Sequence, residues 1–394
     1  MSALRVVAGC VLAAIAAALL SFTGPKPQFT EDGYDYAIAM LVDTGLPYAQ
    51  AQARAQRFFA TQPIAKLPLF AKHLRGTPEY WNLFSVRRVY PWVASLLYPY
   101  RGFDALVDVS RAAYVATAVL ALLLALRFAP LGYGLLLSVA LSAFPPWRDI
   151  ARDALTDPLA IALCSAALFA AALAIERRTW WRIAAFALLC ALLTFTRPIP
   201  YILLGAGIVA AVAAPRKGER TGLVSAAWIT GIAALCAAAV EVALAQAHAP
   251  SFRWIVQDTY AHFVARGYAP AGESLRRFFL TEEATIALHM AVKGVESVVP
   301  VLAVAGMFLR RRHPAMPLLA GACAATWFGA LVDPDRFDIV RCVVMPVAPA
   351  LAAFAAAALA DAVTFVPARL GLPAPSLRLS LPRRVLVRNT TVKE

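Results

Sequence analysis

Charged residues are scarce in this chain. They make up 15% of its 394 residues, whereas 61% are hydrophobic. A soluble globular protein typically has about 25% charged and about 45–50% apolar residues. Sustained strand-type alternation is also lacking, which argues against a transmembrane β-barrel. The sequence therefore predicts an all-α, polytopic membrane protein, built as a bundle of transmembrane helices.

Several well-known catalytic signatures are missing as well. The chain has no HExxH zinc motif, no Walker or other glycine-rich phosphate loop, and no GxSxG elbow. Metalloprotease, ATPase and serine-hydrolase chemistry therefore has little support. The six cysteines all lie in apolar runs without metal-ligand spacing, which indicates buried packing residues.

Apolar runs suited to membrane spans recur along the chain. A spanning helix needs about 20 mostly apolar residues, and no clear A-x-A cleavage site follows the first run, so we expect that helix to be retained. The ten expected spans are 4–22, 106–127, 131–146, 157–175, 182–196, 199–214, 222–246, 287–309, 314–332 and 339–364. They form one transmembrane domain, 1–366, followed by a basic tail, 367–394.

The net charge of the chain is +14, and many of its basic residues lie in the turns between these spans. With the N-terminus in the cytoplasm, the arginine-rich turns near Arg127, Arg177, Arg216 and Arg310 fall on the cytoplasmic side, as does the tail. Two long loops, about 23–105 and 247–286, then lie on the opposite, outer side. We therefore assign the positive charge to topology and to contact with anionic membrane lipids, and not to nucleic-acid binding.

An acidic cluster just past the first span is the most informative feature. Glu31, Asp32 and Asp35 lie close to the expected membrane surface, at the start of a long loop able to cover them. A carboxylate that is partly removed from water can hold a raised pKa and act as a general base. The alternative is a solvated loop that merely ends the first helix.

Arginines among apolar residues form the second group of candidates. Arg87, Arg88 and Tyr90 belong to an aromatic stretch, 86–100, expected to lie in the membrane interface. Arginines there are costly unless they meet anions. They predict either a clamp on a phosphate or side chains that reach lipid headgroups. Arg197, between two short spans, has the same two interpretations.

The last span carries a further arginine pair. Arg336 and Arg341 lie at its start, and Arg341 is placed more deeply. An intramembrane arginine is by default a functional-site hypothesis. We favour a lipid phosphate as its partner over an ion pair with a nearby aspartate.

Asp149, Asp153 and Asp157 recur every fourth residue, a spacing that predicts one shared helix face. They indicate a second acidic wall of the same outer cavity, or a site for a divalent cation. The ligand set is too loose to name a metal. Plain charge at a helix terminus is the simpler explanation.

This order of features resembles the GT-C superfamily of integral-membrane glycosyltransferases. The layout is similar in its retained first span and in the acid within a large first outer loop that carries interfacial helices. Four short stretches also look like recurring pieces of small bacterial members: Arg87–Pro91, Thr156–Pro158, Thr196–Pro198 and Arg341–Pro349. The Glu31-Asp32 order reverses the Asp-Glu order of protein O-mannosyltransferases.

The resemblance implies a bacterial plasma-membrane enzyme with its active site on the periplasmic or extracellular side. It implies a polyprenyl-phosphate-linked sugar as donor, an envelope acceptor and inversion at the anomeric carbon. The catalytic base would be Asp32 or Asp35, and Arg341 with Arg88 or Arg197 would offset the charge of the departing phosphate. Glu31, Arg87, Tyr90, Asp153, Asp157 and Arg336 would complete the substrate site. The competing hypotheses are a transporter or flippase for a lipid-linked or anionic substrate, and a non-catalytic scaffold.

Overall fold

The computed structural model describes residues 2–23, 29–66, 78–214, 220–265, 269–281, 285, 298–330 and 345–369, and in these residues its regular structure is helical. The longer helices are α1 (Ala3–Phe22), α2 (Glu31–Asp43), α3 (Tyr48–Phe59), α4 (Pro78–Phe84), α5 (Val89–Arg101), α6 (Asp104–Ala125), α7 (Leu131–Ala143), α8 (Pro145–Ile150), α9 (Asp157–Glu176), α10 (Trp180–Thr194), α11 (Tyr201–Ala213), α12 (Arg220–Gln246), α13 (Phe252–Ala265), α14 (Val298–Leu309), α15 (Met316–Ala330) and α16 (Ala348–Arg369). The all-α prediction is confirmed.

Four of these helices are long and apolar enough to cross a membrane, judged by length and composition: α1, α6, α9 and residues 222–246 of α12. This finding is consistent with a membrane protein. Shorter apolar helices occupy parts of other expected spans, among them α7, α10 and α11. Helix α7 ends at Ala143 instead of 146 because prolines follow at 145 and 146. The ten-span arrangement therefore stays a prediction.

Contacts between residues far apart in the sequence show which helix ends lie together, and they define two opposite ends of the helix bundle. At one end, Arg197 pairs with Asp157 at the start of α9, and the amide of Val89 donates to the carbonyl of Phe195 over 3.1 Å. We call this the site end. At the opposite end, Arg127 pairs with Glu176 at the close of α9.

The bundle between these ends packs through small residues. A Cβ added at Gly321 of α15 would lie 2.7 Å from the Cβ of Val209 and 2.9 Å from the carbonyl oxygen of Gly205, both in α11. A Cβ at Gly306 of α14 would overlap the backbone of Phe354 in α16. Such close approach is typical of helices that associate in a membrane, where small residues let backbones touch.

The segment between α1 and α6 builds its own apolar core at the site end. Helices α2, α3 and α5 bury aromatic side chains against the start of α6, including Tyr34, Tyr36, Phe59 and Tyr90. Helix α2 begins at a capped N-terminus, where the Thr30 hydroxyl accepts a hydrogen bond from the amide of Gly33 over 3.2 Å. The acidic cluster is thus the first turn of a packed helix, which corrects the solvated-loop alternative.

Candidate functional site

The hydroxyl of Tyr36 is the centre of a polar cluster at the site end. Tyr36 lies in α2 and is fully buried. Its Oη accepts a hydrogen bond from Nη1 of Arg87 over 3.0 Å and lies 3.0 Å from Oγ1 of Thr156. Three segments far apart in sequence therefore meet at one oxygen: α2, the approach to α5 and the approach to α9.

The charges around this hydroxyl are mixed. Burial raises the pKa of Tyr36, and the carboxylate of Asp32 raises it further, while the guanidinium groups of Arg87 and Arg197 lower it. A charge perturbs a pKa in this way only at close range. Asp32, Arg87 and Arg197 therefore all lie near one phenol, and Arg87 bonds it directly.

Arg197 reaches the cluster as half of a buried ion pair. Its Nη1 bonds Oδ1 of Asp157, whose side chain is 1% exposed, while the Arg197 side chain is 12% exposed. Asp157 is the first residue of α9, and Pro158 follows it, as suits a helix start. A carboxylate there also meets the positive end of the helix dipole.

Tyr90 closes the cluster from α5. Its Oη donates to the carbonyl of Leu106 over 2.8 Å and lies 3.2 Å from Oγ of Ser110 in α6. Burial raises its pKa well above the ordinary value, and the charges of Asp157 and Asp153 raise it further. Tyr90 therefore stays protonated and fixes α5 on α6 beside both aspartates.

Arg87 keeps hydrogen-bonding capacity inside this cluster. Its guanidinium carbon lies 4.8 Å from the centre of the Phe84 ring. Its Nε is buried and has no hydrogen-bond partner among the described residues. A buried charged donor without an acceptor is costly, so Arg87 is the cluster's best candidate to meet an anionic ligand.

Asp35 lies apart from Asp32 although both belong to α2. Its side chain is buried, and its charge raises the pKa of Tyr34 and of Tyr48 in α3. Burial is the larger cause for both tyrosines, and the pKa of Tyr34 reaches about 12. Asp35 thus faces the packing of α2 on α3, whereas Asp32 is half-buried beside the Tyr36 cluster.

Arg88 points away from its neighbour Arg87. It forms an ion pair with Asp43 at the end of α2, and 43% of its side chain is exposed. Burial raises the pKa of Asp43, although the charge and hydrogen bond of Arg88 lower it. The arginine pair in the sequence therefore contributes one side chain to the Tyr36 cluster and one to an ion pair elsewhere.

The expectation that Asp149, Asp153 and Asp157 share a helix face is wrong. Asp149 lies in α8, Asp153 in a turn and Asp157 at the start of α9. Pro158 cannot donate a backbone hydrogen bond four residues back and would clash with that carbonyl, so the chain must break its helix here. Among the described residues, no three His, Cys, Asp or Glu side chains are grouped so as to hold a metal ion.

Of three other predicted site residues, one is described only by its backbone and two are not described. Glu31 is the first residue of α2, but its side chain is not among those described. Arg336 and Arg341 lie outside the described residues.

Tyr36 itself is the residue that sequence reasoning missed. It follows Asp32 by four positions, so the two share one face once α2 is known to be a helix. The four-residue spacing from Asp32 is the signal in the sequence that could have identified Tyr36. It has meaning only if the segment is a helix, and the polar residues at the start of α2 did not suggest one.

Comparison of the chain with models of known protein families gives no match, and comparison with curated protein sequences gives none either.

Proposed function

We propose that the chain is a membrane glycosyltransferase that moves a sugar from a polyprenyl-phosphate donor to an envelope acceptor, with the Tyr36 cluster as its active site. The supporting observation is convergence. Arg87, from the approach to α5, donates to the buried Tyr36 hydroxyl over 3.0 Å, and Asp32 and Arg197 lie near enough to shift the pKa of that phenol. A carboxylate beside arginines is what such a displacement requires.

Asp32 is the general base in this proposal. The acceptor hydroxyl attacks the anomeric carbon, the bond from that carbon to the phosphate oxygen breaks, and the hydroxyl proton passes to Asp32. Asp32 is half-buried, whereas Asp35 is buried in the packing of α2 on α3, so we assign the base to Asp32. Direct displacement inverts the anomeric centre.

Arg87 binds the departing phosphate. Its unpartnered Nε supplies a charge-assisted hydrogen bond, and its bond to Tyr36 fixes its position. Arg197 is paired with Asp157, so it shapes the site and adds weaker charge. Donors fixed in place before the reaction stabilise developing charge without reorganisation at the moment of reaction.

The lipid part of the donor would approach along α5. The exposed side chains of this helix include Trp92, Leu96 and Tyr100. A helix with one buried and one exposed apolar face suits the membrane interface. The site end would then face the periplasm or the exterior, with both termini in the cytoplasm.

The test is donor cleavage by the purified full-length protein. Polyprenyl phosphate released from a panel of polyprenyl-phosphate sugars is measured for wild type, Asp32→Asn, Asp35→Asn and Asp104→Asn. The last is a control, because Asp104 is an exposed aspartate at the start of α6. We expect Asp32→Asn to lose at least 100-fold, in line with the 10²–10⁴-fold contribution of general acid–base catalysis, and Asp104→Asn to stay within about twofold.

Arg87→Lys separates charge from geometry. It keeps the positive charge but loses the planar fork, so we expect turnover to fall while the protein remains folded. Unchanged turnover in both Asp32→Asn and the double Asp32→Asn, Asp35→Asn variant would contradict the transferase. Tight binding of the same lipids without cleavage by wild type would instead favour the transporter or flippase.

A further inference from the structure

A second cationic cluster lies where the end of α1 meets α8. The Nε of Arg152 donates to the carbonyl of Ser21 over 3.3 Å, and its Nη2 donates to that of Leu20 over 3.2 Å, so Arg152 caps the end of α1. The guanidinium carbon of Arg111 lies 4.8 Å from the ring centre of Phe22, the last residue of α1. Arg111 of α6 and Arg152 of the turn after α8 therefore flank one helix end.

Arg148 belongs to the same cluster. Burial lowers the pKa of Arg152, and the positive charges of Arg148 and Arg111 lower it further, with Asp149 acting in the opposite direction. Three guanidinium groups thus lie close enough to repel one another. Like charges gather in a protein interior at a free-energy cost, unless an anion sits among them.

Four buried N–H donors in this cluster have no hydrogen-bond partner among the described residues. They are Nε of Arg111, Nε1 of Trp147, Nε of Arg148 and Nη1 of Arg152. The side chain of Arg152 is 3% exposed and that of Trp147 is 1% exposed. An unsatisfied buried donor destabilises the folded protein. Three of these donors belong to arginines whose charges interact, and the fourth belongs to the residue next to Arg148, so together they indicate a missing acceptor.

The nearest carboxylate does not supply that acceptor. Oδ1 of Asp149 lies 3.6 Å from Nε of Arg148 and 3.6 Å from Nη1 of Arg152, which is beyond hydrogen-bond distance. The Asp149 side chain is 56% exposed. Both nitrogens therefore form ion pairs with the exposed carboxylate of Asp149, but neither has a hydrogen-bond acceptor among the described residues.

We propose that Arg111, Arg148, Arg152 and Trp147 form a phosphate-binding site, separate from the Tyr36 cluster. The donors of Arg148 and Arg152, each 3.6 Å from the same oxygen of Asp149, match two oxygens of a tetrahedral phosphate, and arginine is suited to that geometry. The phosphate belongs either to a lipid headgroup or to free inorganic phosphate. Helix α1, which ends at the site, exposes apolar side chains along its length, including Leu12, Leu19 and Phe22, and acyl chains could lie against them.

The site does not depend on sugar transfer. The turn between α8 and α9 has two sides: Arg152 reaches the end of α1, while Thr156 reaches Tyr36 in α2. Failure of the proposed transferase would leave the phosphate site unaffected, and the reverse also holds.

Binding is measured on the full-length protein, delipidated in a nonionic detergent. The probes are short-chain phosphatidic acid, diacylglycerol with the same chains, and inorganic phosphate. The variants are Arg148→Gln and Trp147→Phe, which spare the cap on α1, and Arg57→Gln, which changes an exposed arginine of α3 as a control. Arg152→Gln is read together with its thermal unfolding, because it removes the cap as well.

We expect wild type and Arg57→Gln to bind a phosphate probe equally, and Arg148→Gln to bind it at least tenfold more weakly. Phosphatidic acid bound in preference to inorganic phosphate identifies a lipid headgroup as the ligand, and equal binding identifies the free anion. Diacylglycerol binding as tightly as phosphatidic acid would overturn the proposal. So would a wild type that binds neither phosphate probe, or an Arg148→Gln variant with wild-type affinity.

Discussion

The buried ion pair between Arg197 and Asp157 gives the sharpest test of the geometry at the site end. Arg197→Leu would leave a carboxylate that is 1% exposed without this charge partner. Breaking a buried pair by removing one member costs about 3–5 kcal/mol. The N-terminus of α9 offsets about 0.3–1 kcal/mol of that cost, because Asp157 lies in its first turn. We therefore expect a loss of about 2–5 kcal/mol in the free energy of unfolding.

The double variant Arg197→Leu, Asp157→Asn should recover part of this loss, because no unpaired charge stays buried. Arg101→Leu is the control: that arginine also pairs with an aspartate, Asp108, but is 55% exposed. Exposed pairs contribute little to stability, because water screens their attraction. Unfolding by denaturing detergent in mixed micelles measures all three. The geometry would be refuted if Arg197→Leu were no more destabilising than Arg101→Leu, or if the double variant were less stable than Arg197→Leu.

Three further predictions concern packing, capping and pH. Gly306→Ala would place a methyl group against the backbone of Phe354 and should lower the unfolding temperature. Gly231→Ala meets open space and should raise stability by up to about 1 kcal/mol, because alanine has the higher helix propensity. Equal effects of the two substitutions would contradict the packing of α14 on α16. Thr30→Ala removes the side-chain cap of α2, so it should lower the free energy of unfolding by about 0.5–2 kcal/mol and reduce turnover. Thr30→Ser keeps a capping hydroxyl and should preserve stability and turnover. An alanine variant that behaves like the serine variant would argue against the cap. Because burial raises the pKa of Asp43, the folded protein holds that proton more tightly than the unfolded chain. Wild type should therefore lose stability relative to Asp43→Asn as the pH rises from about 3.8 through the raised pKa, and a pH-independent difference between them in unfolding experiments would contradict this.

Sequence reasoning identified charged residues well because charge is expensive in an apolar chain. That cost singles out Arg87 and Arg197, whereas Asp32 is predicted from its place after the first span and Asp157 from its four-residue spacing. The structure places all four at the site end. Their partners could not be predicted in the same way. The bond between Arg197 and Asp157 joins residues 40 positions apart, and only the packing of the helices determines that distance.

The errors also have physical causes. Spacing every four residues predicts a shared helix face only if the helix is continuous, and Pro158 interrupts the one on which Asp149 and Asp157 were placed. Tyr36 was overlooked because a polar stretch after the first span favoured a loop, although Thr30 was available as a cap. The sequence leaves Asp32 and Asp35 as equivalent candidates for the base, but tertiary packing buries Asp35 near Tyr48 of α3 and leaves Asp32 half-buried near Tyr36.

Release of polyprenyl phosphate from a lipid-linked sugar tests the central claim most directly. Purified wild type, Asp32→Asn and the control Asp104→Asn are each given the same donor panel, and free polyprenyl phosphate is quantified. The account predicts release by wild type and by Asp104→Asn, with at least a 100-fold loss in Asp32→Asn. Release that is independent of Asp32, or no release from any donor by a folded wild type, would contradict it.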